Sequence, residues 1–147
     1  MASPSINELT KSSILQLIRE RDLIMSDKVW SVSEIMEKAR TGEGGRNVKH
    51  NINYTFLYQG DHCTLNSVQM AAETGIPLHI HKYHDEIIQI MEGEGNGTIG
   101  DEETYLKKGD VFFVPKGIPH ALPFPCIILS IYAPAFDPDN PDRVFVE

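Results

Sequence analysis

Apolar side chains follow two different periods along the chain. Within residues 12–25 they recur at helical spacing, with charged side chains on the other face, which predicts an amphipathic helix. A second, shorter helix is predicted after Ser31, because Glu34 stands three positions later in a capping-box arrangement, just ahead of Ile35 and Met36. Three glycines within residues 41–45 should end it.

Beyond Arg46 the pattern changes to short alternating segments. We predict strands over residues 53–58, 63–70, 86–91, 110–114 and 127–133. Turn signals separate them at residues 59–61, 92–97, 107–110 and 116–117. Short strands at this spacing indicate a sandwich or barrel and not alternating βαβ units.

The two ends of the chain differ from this β-rich middle. We expect a helical extension over residues 1–45 and a β domain over residues 46–147. The helical part is interpreted as packing over a sheet edge or exchanged between protomers, and a lid or partner-binding element is the alternative. Residues 133–143 contain three prolines and should run extended across the surface before an apolar patch at residues 144–146.

Composition and charge narrow the classes of partner. The 147 residues carry a formal net charge of -8, a field that repels phosphate backbones and anionic lipids, so we expect neither nucleic acid nor membrane as a partner. No apolar run approaches the roughly 20 residues that cross a bilayer. Cys63 and Cys126 show no CxxC spacing and are interpreted as buried free thiols, which suits a cytoplasmic protein.

The candidate chemistry lies in LHIHKYHDEII, residues 78–88. Alternate residues of a strand share a face, so His79 and His81 should point the same way. The polar residues 82–85 can turn the chain, and a following antiparallel strand would place Glu86 beside the two histidines. His120 follows a Pro-Gly turn far downstream and would complete the set if its strand packs alongside.

Three imidazoles and one carboxylate suit a divalent first-row ion with open coordination positions. Zinc, iron, manganese, nickel and copper all tolerate such ligands. A dication with one carboxylate leaves the site near +1, which would attract an anionic or enolisable ligand.

Two stretches resemble the motifs of the cupin superfamily. GIPLHIHKYHDEIIQIMEG, residues 75–93, is similar to the first motif, with HxH, four residues, Glu, six residues and Gly. GDVFFVPKGIPH, residues 109–120, is similar to the second, with Gly, five residues, Pro-x-Gly, two residues and His. The resemblance covers roughly residues 50–135 and leaves the N-terminal helices unexplained.

The resemblance implies an all-β double-stranded β-helix, or jelly-roll barrel, carrying the helical extension. It implies that His79, His81, Glu86 and His120 bind one divalent transition metal ion in the barrel mouth. Two departures stand out. Gly75 lies closer to the first histidine than the motif usually has it, and Phe124 replaces a frequent Asn, which should make the pocket more apolar.

Other conspicuous residues receive more ordinary interpretations. We expect His84 to be a solvated turn histidine, with a fifth ligand or proton shuttle as the alternative, and Asp85 to face solvent. His50 and His62 should be surface or strand-end residues. The aromatic residues should mostly fill the core, namely Phe56, Tyr58, Phe112, Phe113, Phe124 and Tyr132. The inward face should carry Met70, Ile88, Ile90, Leu122 and one of the phenylalanines 112 and 113.

The leading hypothesis is a metal-dependent enzyme acting on a small organic acid or similar oxygen-bearing metabolite. Dioxygenase-type oxidation ranks first, and isomerase or lyase chemistry follows. No catalytic side chain beyond the ligands is assigned, and Tyr54, Tyr58 and His84 are the candidates for a general base. A non-catalytic small-molecule-binding module and a structural protein with an empty barrel are the rivals, because one fold hosts many activities. A homodimer is the expected assembly.

Overall fold

The structure is a computed structural model that describes residues 10–20 and 29–146. The chain divides into two units, Met1–Trp30 and Ser31–Glu147. In chain order the elements are α1 Lys11–Glu20, α2 Val32–Thr41, β1 Gly45–Asn47, β2 Ile52–Gln59, β3 Thr64–Met70, β4 Ile76–His81, β5 Asp85–Glu92, β6 Gly95–Ile99, β7 Glu102–Leu106, β8 Val111–Val114, β9 His120–Leu122, β10 Cys126–Ala133 and β11 Arg143–Phe145.

Both predicted helices are present. In the first unit, α1 accounts for the first part of the helix expected over residues 12–25, and the remainder of that prediction lies outside the described residues. At the start of α2 the Ser31 hydroxyl accepts from the Glu34 backbone and the Glu34 carboxylate accepts from the Ser31 backbone, so the capping box is confirmed. Gly42 ends α2 in the left-handed conformation, with φ 64°.

The strands of the second unit form two antiparallel sheets. One has the order β1-β2-β3-β10-β5-β8, and the other has the order β11-β4-β9-β6-β7. The double-stranded β-helix is thereby confirmed, and all five strands predicted from alternation are present with small shifts of their ends. The turn expected over residues 92–97 is partly wrong, since β6 already begins at Gly95 and pairs with β7.

The core lies between the two sheets. Met70, Ile88, Ile90 and Leu122 are buried there as predicted, and of the two phenylalanines it is Phe112 that packs inward. Phe113 is 53% exposed, because its neighbour takes the inner face of β8. Tyr58 is also exposed, so these two aromatic residues are not core material.

Helix α2 packs on the outer face of β2 and β3. The Thr55 hydroxyl links the C-terminal end of α2 to β2. It donates to the Lys38 carbonyl at 2.6 Å and accepts from the Glu43 backbone N–H at 2.9 Å. Ile35 and Ala39 bury the apolar side of the helix. The division into a helical extension, residues 1–45, and a barrel domain, residues 46–147, stays a prediction.

Gly75, the first residue of the first motif, permits a tight entry into β4. Its φ of 57° lies in the left-handed region, and a Cβ at this position would overlap the carbonyl oxygen of Leu122. Phe124 packs against the same turn and belongs to the core. It does not line the cavity described below, so the expectation that it makes the pocket more apolar is wrong.

Candidate metal centre

Strands β4 and β9 bring two of the predicted ligands together directly. They pair antiparallel with His79 opposite His120, and residues opposite each other in such a pair carry their side chains on one face. The two imidazole rings lie 4.1 Å apart, and the His81 ring lies 5.1 Å from that of His79. One nitrogen from each of the three histidines lies within 4.8 Å of the others, and all three residues are buried.

Glu86 approaches the histidines from the other sheet. Residues 82–84 carry the chain from β4 across to β5, so Glu86 faces the histidines and does not lie beside them in the same sheet as we expected. Its Oε2 lies 2.9 Å from Nε2 of His81 and 3.4 Å from Nε2 of His120. The four predicted ligands therefore converge across the barrel interior.

Hydrogen bonds on the far side of His79, His120 and Glu86 fix the orientation of these three groups. Nδ1–H of His79 donates to the Pro77 carbonyl at 2.8 Å, and that of His120 donates to the Ile118 carbonyl at 3.0 Å. The Ser130 hydroxyl donates to Oε1 of Glu86 at 2.6 Å. Each Nε2, and the second carboxylate oxygen, is left to face the shared space.

Those inward atoms lack partners of their own. Among the described residues, Oε2 of Glu86 and Nε2 of His120 are buried without a hydrogen bond. Oε2 lies close to two imidazole nitrogens, Nε2 of His81 and Nε2 of His120. Buried polar atoms without partners are costly, and a shared cation would satisfy them together. The residues therefore fit a divalent metal ion.

The protonation states of His79 and Glu86 also favour metal binding. Burial is the main cause that lowers the pKa of His79 to about 3, and the nearby His120 adds to the effect. The imidazole is thus neutral near pH 7, as a metal ligand must be. Burial alone would raise the pKa of Glu86, but the His120 and His81 imidazoles outweigh it and hold that pKa below its usual range.

His84 contradicts the prediction of a solvated turn histidine. It is 3% exposed, and its ring stacks between His81 at 4.4 Å and Tyr132 at 4.3 Å. Its Nδ1 lies 2.9 Å from Oδ2 of Asp142, and its Nε2 is buried without a hydrogen-bond partner in the described part of the chain. Burial first, and then the charge of His81, lowers the pKa of His84. The sequence around His84 is polar, but stacking and a distant carboxylate compensate for its burial.

Asp142 is a residue that the sequence analysis missed. Its carboxylate also accepts from the Tyr83 backbone N–H at 2.9 Å, and its Oδ1 lies 3.5 Å from Nδ1 of His81. It can form with His81 and His84 a second group of potential ligands. No local sequence pattern predicts that Asp142 contacts residues about 60 positions earlier.

A cavity of about 540 Å³ opens at the four predicted ligands. Aromatic residues form much of its wall, and it is also lined by Met70, Ile88, Leu122, Asn66, Asp142 and Arg143. Of the candidate general bases, Tyr54 and His84 line this cavity, whereas Tyr58 does not. Asp85 is half-buried and accepts from the Lys116 backbone N–H at 2.9 Å, so it holds a turn instead of facing solvent freely.

The remaining histidines lie outside the group of four. His62 is exposed, as expected of a surface residue. His50 is half-buried at the end of a turn, with its ring 4.5 Å from that of Phe145.

Comparison with known proteins finds similarity over the central part of the chain. Residues 66–132 match the model of the cupin domain. An uncharacterized protein of Methanocaldococcus jannaschii is 32% identical over 66 residues, which cover 45% of this chain and 53% of that protein. The chain thus spans about half the length of this curated relative.

Solved structures share the architecture. An RmlC-like cupin from Shewanella frigidimarina is 20% identical with a TM-score of 0.57, covering 65% of this chain and 86% of that one. A variant of Streptomyces PAC13 with uridine is also 20% identical with a TM-score of 0.57, covering 81% and 90%. At this identity they show the fold alone. No helix in the described part of the chain is long and apolar enough to span a membrane.

Proposed function

We propose, from the premise that this chain belongs to the cupin superfamily, that it is a metal-dependent enzyme acting on a small organic acid or other oxygen-bearing metabolite. His79, His81, Glu86 and His120 would hold one divalent ion, with iron, manganese, zinc, nickel and copper all compatible. The observation that carries this proposal is the pair of unpartnered buried atoms, Oε2 of Glu86 and Nε2 of His120, which face each other at 3.4 Å.

Dioxygenase-type oxidation is the leading reaction. When bound, the ion would supply Lewis-acid polarisation of a substrate oxygen, or redox chemistry if it is iron. The protein's own contribution would be a shaped cavity with an aromatic wall. Phe56, Tyr132 and Phe136 line that cavity beside the histidines. Since one carboxylate offsets only half the charge of a dication, an anionic substrate would be attracted.

Isomerase or lyase chemistry is the alternative, and the His84–Asp142 pair favours it. With Oδ2 of Asp142 2.9 Å from Nδ1 of His84, the carboxylate would favour the tautomer in which Nε2 carries a lone pair. This is the arrangement of a group that moves a proton on a bound substrate. A non-catalytic binding module would use the same cavity without turnover.

The test begins with metal analysis of the purified protein and of the His79→Ala and His120→Ala variants. We expect near-stoichiometric metal in the wild type and loss of most of it in both variants, with the fold retained by circular dichroism. His62→Ala, at an exposed histidine, is the matched control and should keep its metal. Full occupancy in both site variants would refute the ligand assignment.

The reaction is tested separately with protein loaded with iron(II). Oxygen consumption is measured across a panel of keto acids, hydroxy acids, diketones and sulfur-containing acids. Turnover of one member supports the oxidative proposal. Conversion without oxygen uptake supports an isomerase or lyase, and tight binding without conversion supports a binding module. Wild-type protein with no metal above background would favour a structural protein.

A homodimer is part of the proposal. The outer face of β5 and β8 leaves Ile87, Val111 and Phe113 exposed, and Ile87 lies opposite Phe113 in the strand pair. Because β8 is also the edge strand of its sheet, a second copy could pair with that edge and cover the exposed side chains beside it, and N-terminal exchange is the alternative. Localisation in the cytoplasm remains a proposal based on the free thiols of Cys63 and Cys126.

A further inference from the structure

Residues 133–146, which we call the C-terminal strap, lie beyond the part of the chain that matches the cupin domain. We expected residues 133–143 to run extended across the surface before an apolar patch at residues 144–146, and most of residues 133–143 are exposed. The strap also reaches the candidate metal centre, where its cavity-lining residues are Phe136, Pro138, Pro141, Asp142, Arg143 and Phe145. The strap therefore supplies part of the wall that a substrate would meet.

Strand pairing fixes which strap residues point inward. In the pairing of β11 with β4, Arg143 lies opposite His81 and Phe145 lies opposite His79. Residues opposite each other in an antiparallel pair have side chains on the same face of the sheet. Since His79 and His81 point into the barrel, Arg143 and Phe145 share that direction, while Val144 points away.

Contacts at both ends hold the strap in place. At its start, the Phe136 backbone N–H donates to the Thr64 hydroxyl at 2.8 Å, and the Phe136 ring stacks on Phe56 at 5.2 Å. At its end, the Val146 backbone N–H donates to the Leu78 carbonyl at 2.9 Å. Hydrogen bonds on both sides of Arg143 therefore hold its backbone in place.

Among the described residues that line the cavity, Arg143 is the only lysine or arginine. Within residues 10–20 and 29–146, no carboxylate lies within ion-pair distance of its guanidinium. Asp142, next to it in sequence, is engaged with His84 and the Tyr83 backbone. The guanidinium instead lies 5.4 Å from the centre of the Phe145 ring.

An arginine without an acidic partner is conspicuous in a chain with a net charge of -8. Stacking on Phe145 restricts the side chain, and a planar guanidinium with two parallel N–H donors matches a carboxylate. The residue is exposed at the cavity mouth, where an incoming anion would meet it first. The metal centre lies on the same inner face, one strand away.

We propose that Arg143 is the specificity-determining residue of this site and binds the carboxylate of a substrate whose second oxygen function faces the metal centre. The substrate class is therefore a small carboxylic acid with a further keto or hydroxyl oxygen. The metal end of this pose rests on the proposed function. The role of Arg143 in selecting a carboxylate is tested independently of it.

The experiment measures binding by calorimetry to full-length protein loaded with redox-inert zinc(II). The probes are benzoate, 3-hydroxybenzoate and 2-oxobutanoate, each compared with its own carboxamide, which has a similar shape and no charge. In the wild type at least one carboxylate should bind about tenfold more tightly than its amide. Arg143→Gln should remove that preference. Arg143→Lys should keep part of it, because the lysine ammonium carries the positive charge but lacks the two parallel N–H donors of the guanidinium.

Lys116→Gln is the matched control, because it removes the same charge from an exposed turn that does not line the cavity. It should leave the preference for the carboxylate unchanged. Zinc content is measured in every sample, and neither Arg143 variant should lose metal.

Three results would overturn the proposal: a wild type that prefers none of the acids to its amide, an Arg143→Gln variant that keeps the preference, or an equal loss in Lys116→Gln. Failure of the proposed function is distinguishable. If the wild type does not retain zinc but still selects carboxylates through Arg143, the metal assignment fails and the role of Arg143 stands. Normal zinc content without dependence on Arg143 refutes only the latter.

Discussion

Ser130→Ala should weaken metal binding without touching a ligand. The Ser130 hydroxyl donates to Oε1 of Glu86 at 2.6 Å, and both residues are buried. A hydrogen bond to a charged group contributes about 1.5–3 kcal/mol, and the loss leaves that oxygen buried without a donor. One tenfold change in an equilibrium constant corresponds to about 1.4 kcal/mol, so metal affinity should fall by about tenfold to a hundredfold.

The structure offers a closely matched control. Ser67 is also fully buried, on the neighbouring strand β3, but in the described part of the chain its hydroxyl has no hydrogen-bond partner. Asn66 lines the cavity, so Ser67, the next residue of the strand, points to the other face. Ser67→Ala should therefore leave the affinity for metal unchanged.

The assay is a competition titration of zinc(II) or cobalt(II) between the protein and a chelator of known affinity, with stability measured in parallel by urea unfolding. Ser130→Ala should lower the affinity while Ser67→Ala does not. Equal affinities in the two variants and the wild type would show that the hydroxyl does not orient Glu86 for an ion. That result would refute the reasoning even if both variants fold normally.

Two further predictions concern pH and assembly. His79 has a pKa of about 3 in the folded state, against about 6.5 when unfolded, so the unfolded state takes up the proton first and stability is lost as the pH falls through this interval. Between pH 6.5 and 4.5 this amounts to about 2 kcal/mol. Metal-free His79→Gln should therefore lose about that much less stability in urea unfolding than the exposed-site control His62→Gln. Parallel losses in the two variants would contradict the prediction. Phe113→Glu should convert a dimer to a monomer in sedimentation at micromolar concentration, and a monomeric wild type would remove the dimer proposal.

Local rules were sufficient for much of the fold. The capping box at Ser31 and Glu34 depends on residues three positions apart, and it begins α2 as predicted. Alternation likewise placed His79 and His81 on one face. The resemblance to the two motifs added His120 to the predicted ligands. In the structure His120 lies directly opposite His79 in the strand pair.

Contacts between residues far apart in the sequence could not be predicted in the same way. The polar residues 82–85 predicted a turn, but nothing in them distinguishes a return within one sheet from a crossing to the other sheet. The burial of His84 depends on Asp142, which lies far along the chain. Residues 144–146 read as an apolar patch, and only the pairing of β11 with β4 reveals that Arg143 and Phe145 are the inward pair.

The partition of the donors between the two layers of the barrel has a mechanical consequence. His79, His81 and His120 stand on one layer, and Glu86 stands on the other. An ion held by all four would act as a cross-link between layers, and its binding free energy would add to the free energy that keeps them closed. Repacking of interior residues such as Ile88 and Leu122, which are not themselves donors, should then alter the affinity for the ion by changing the spacing of the layers.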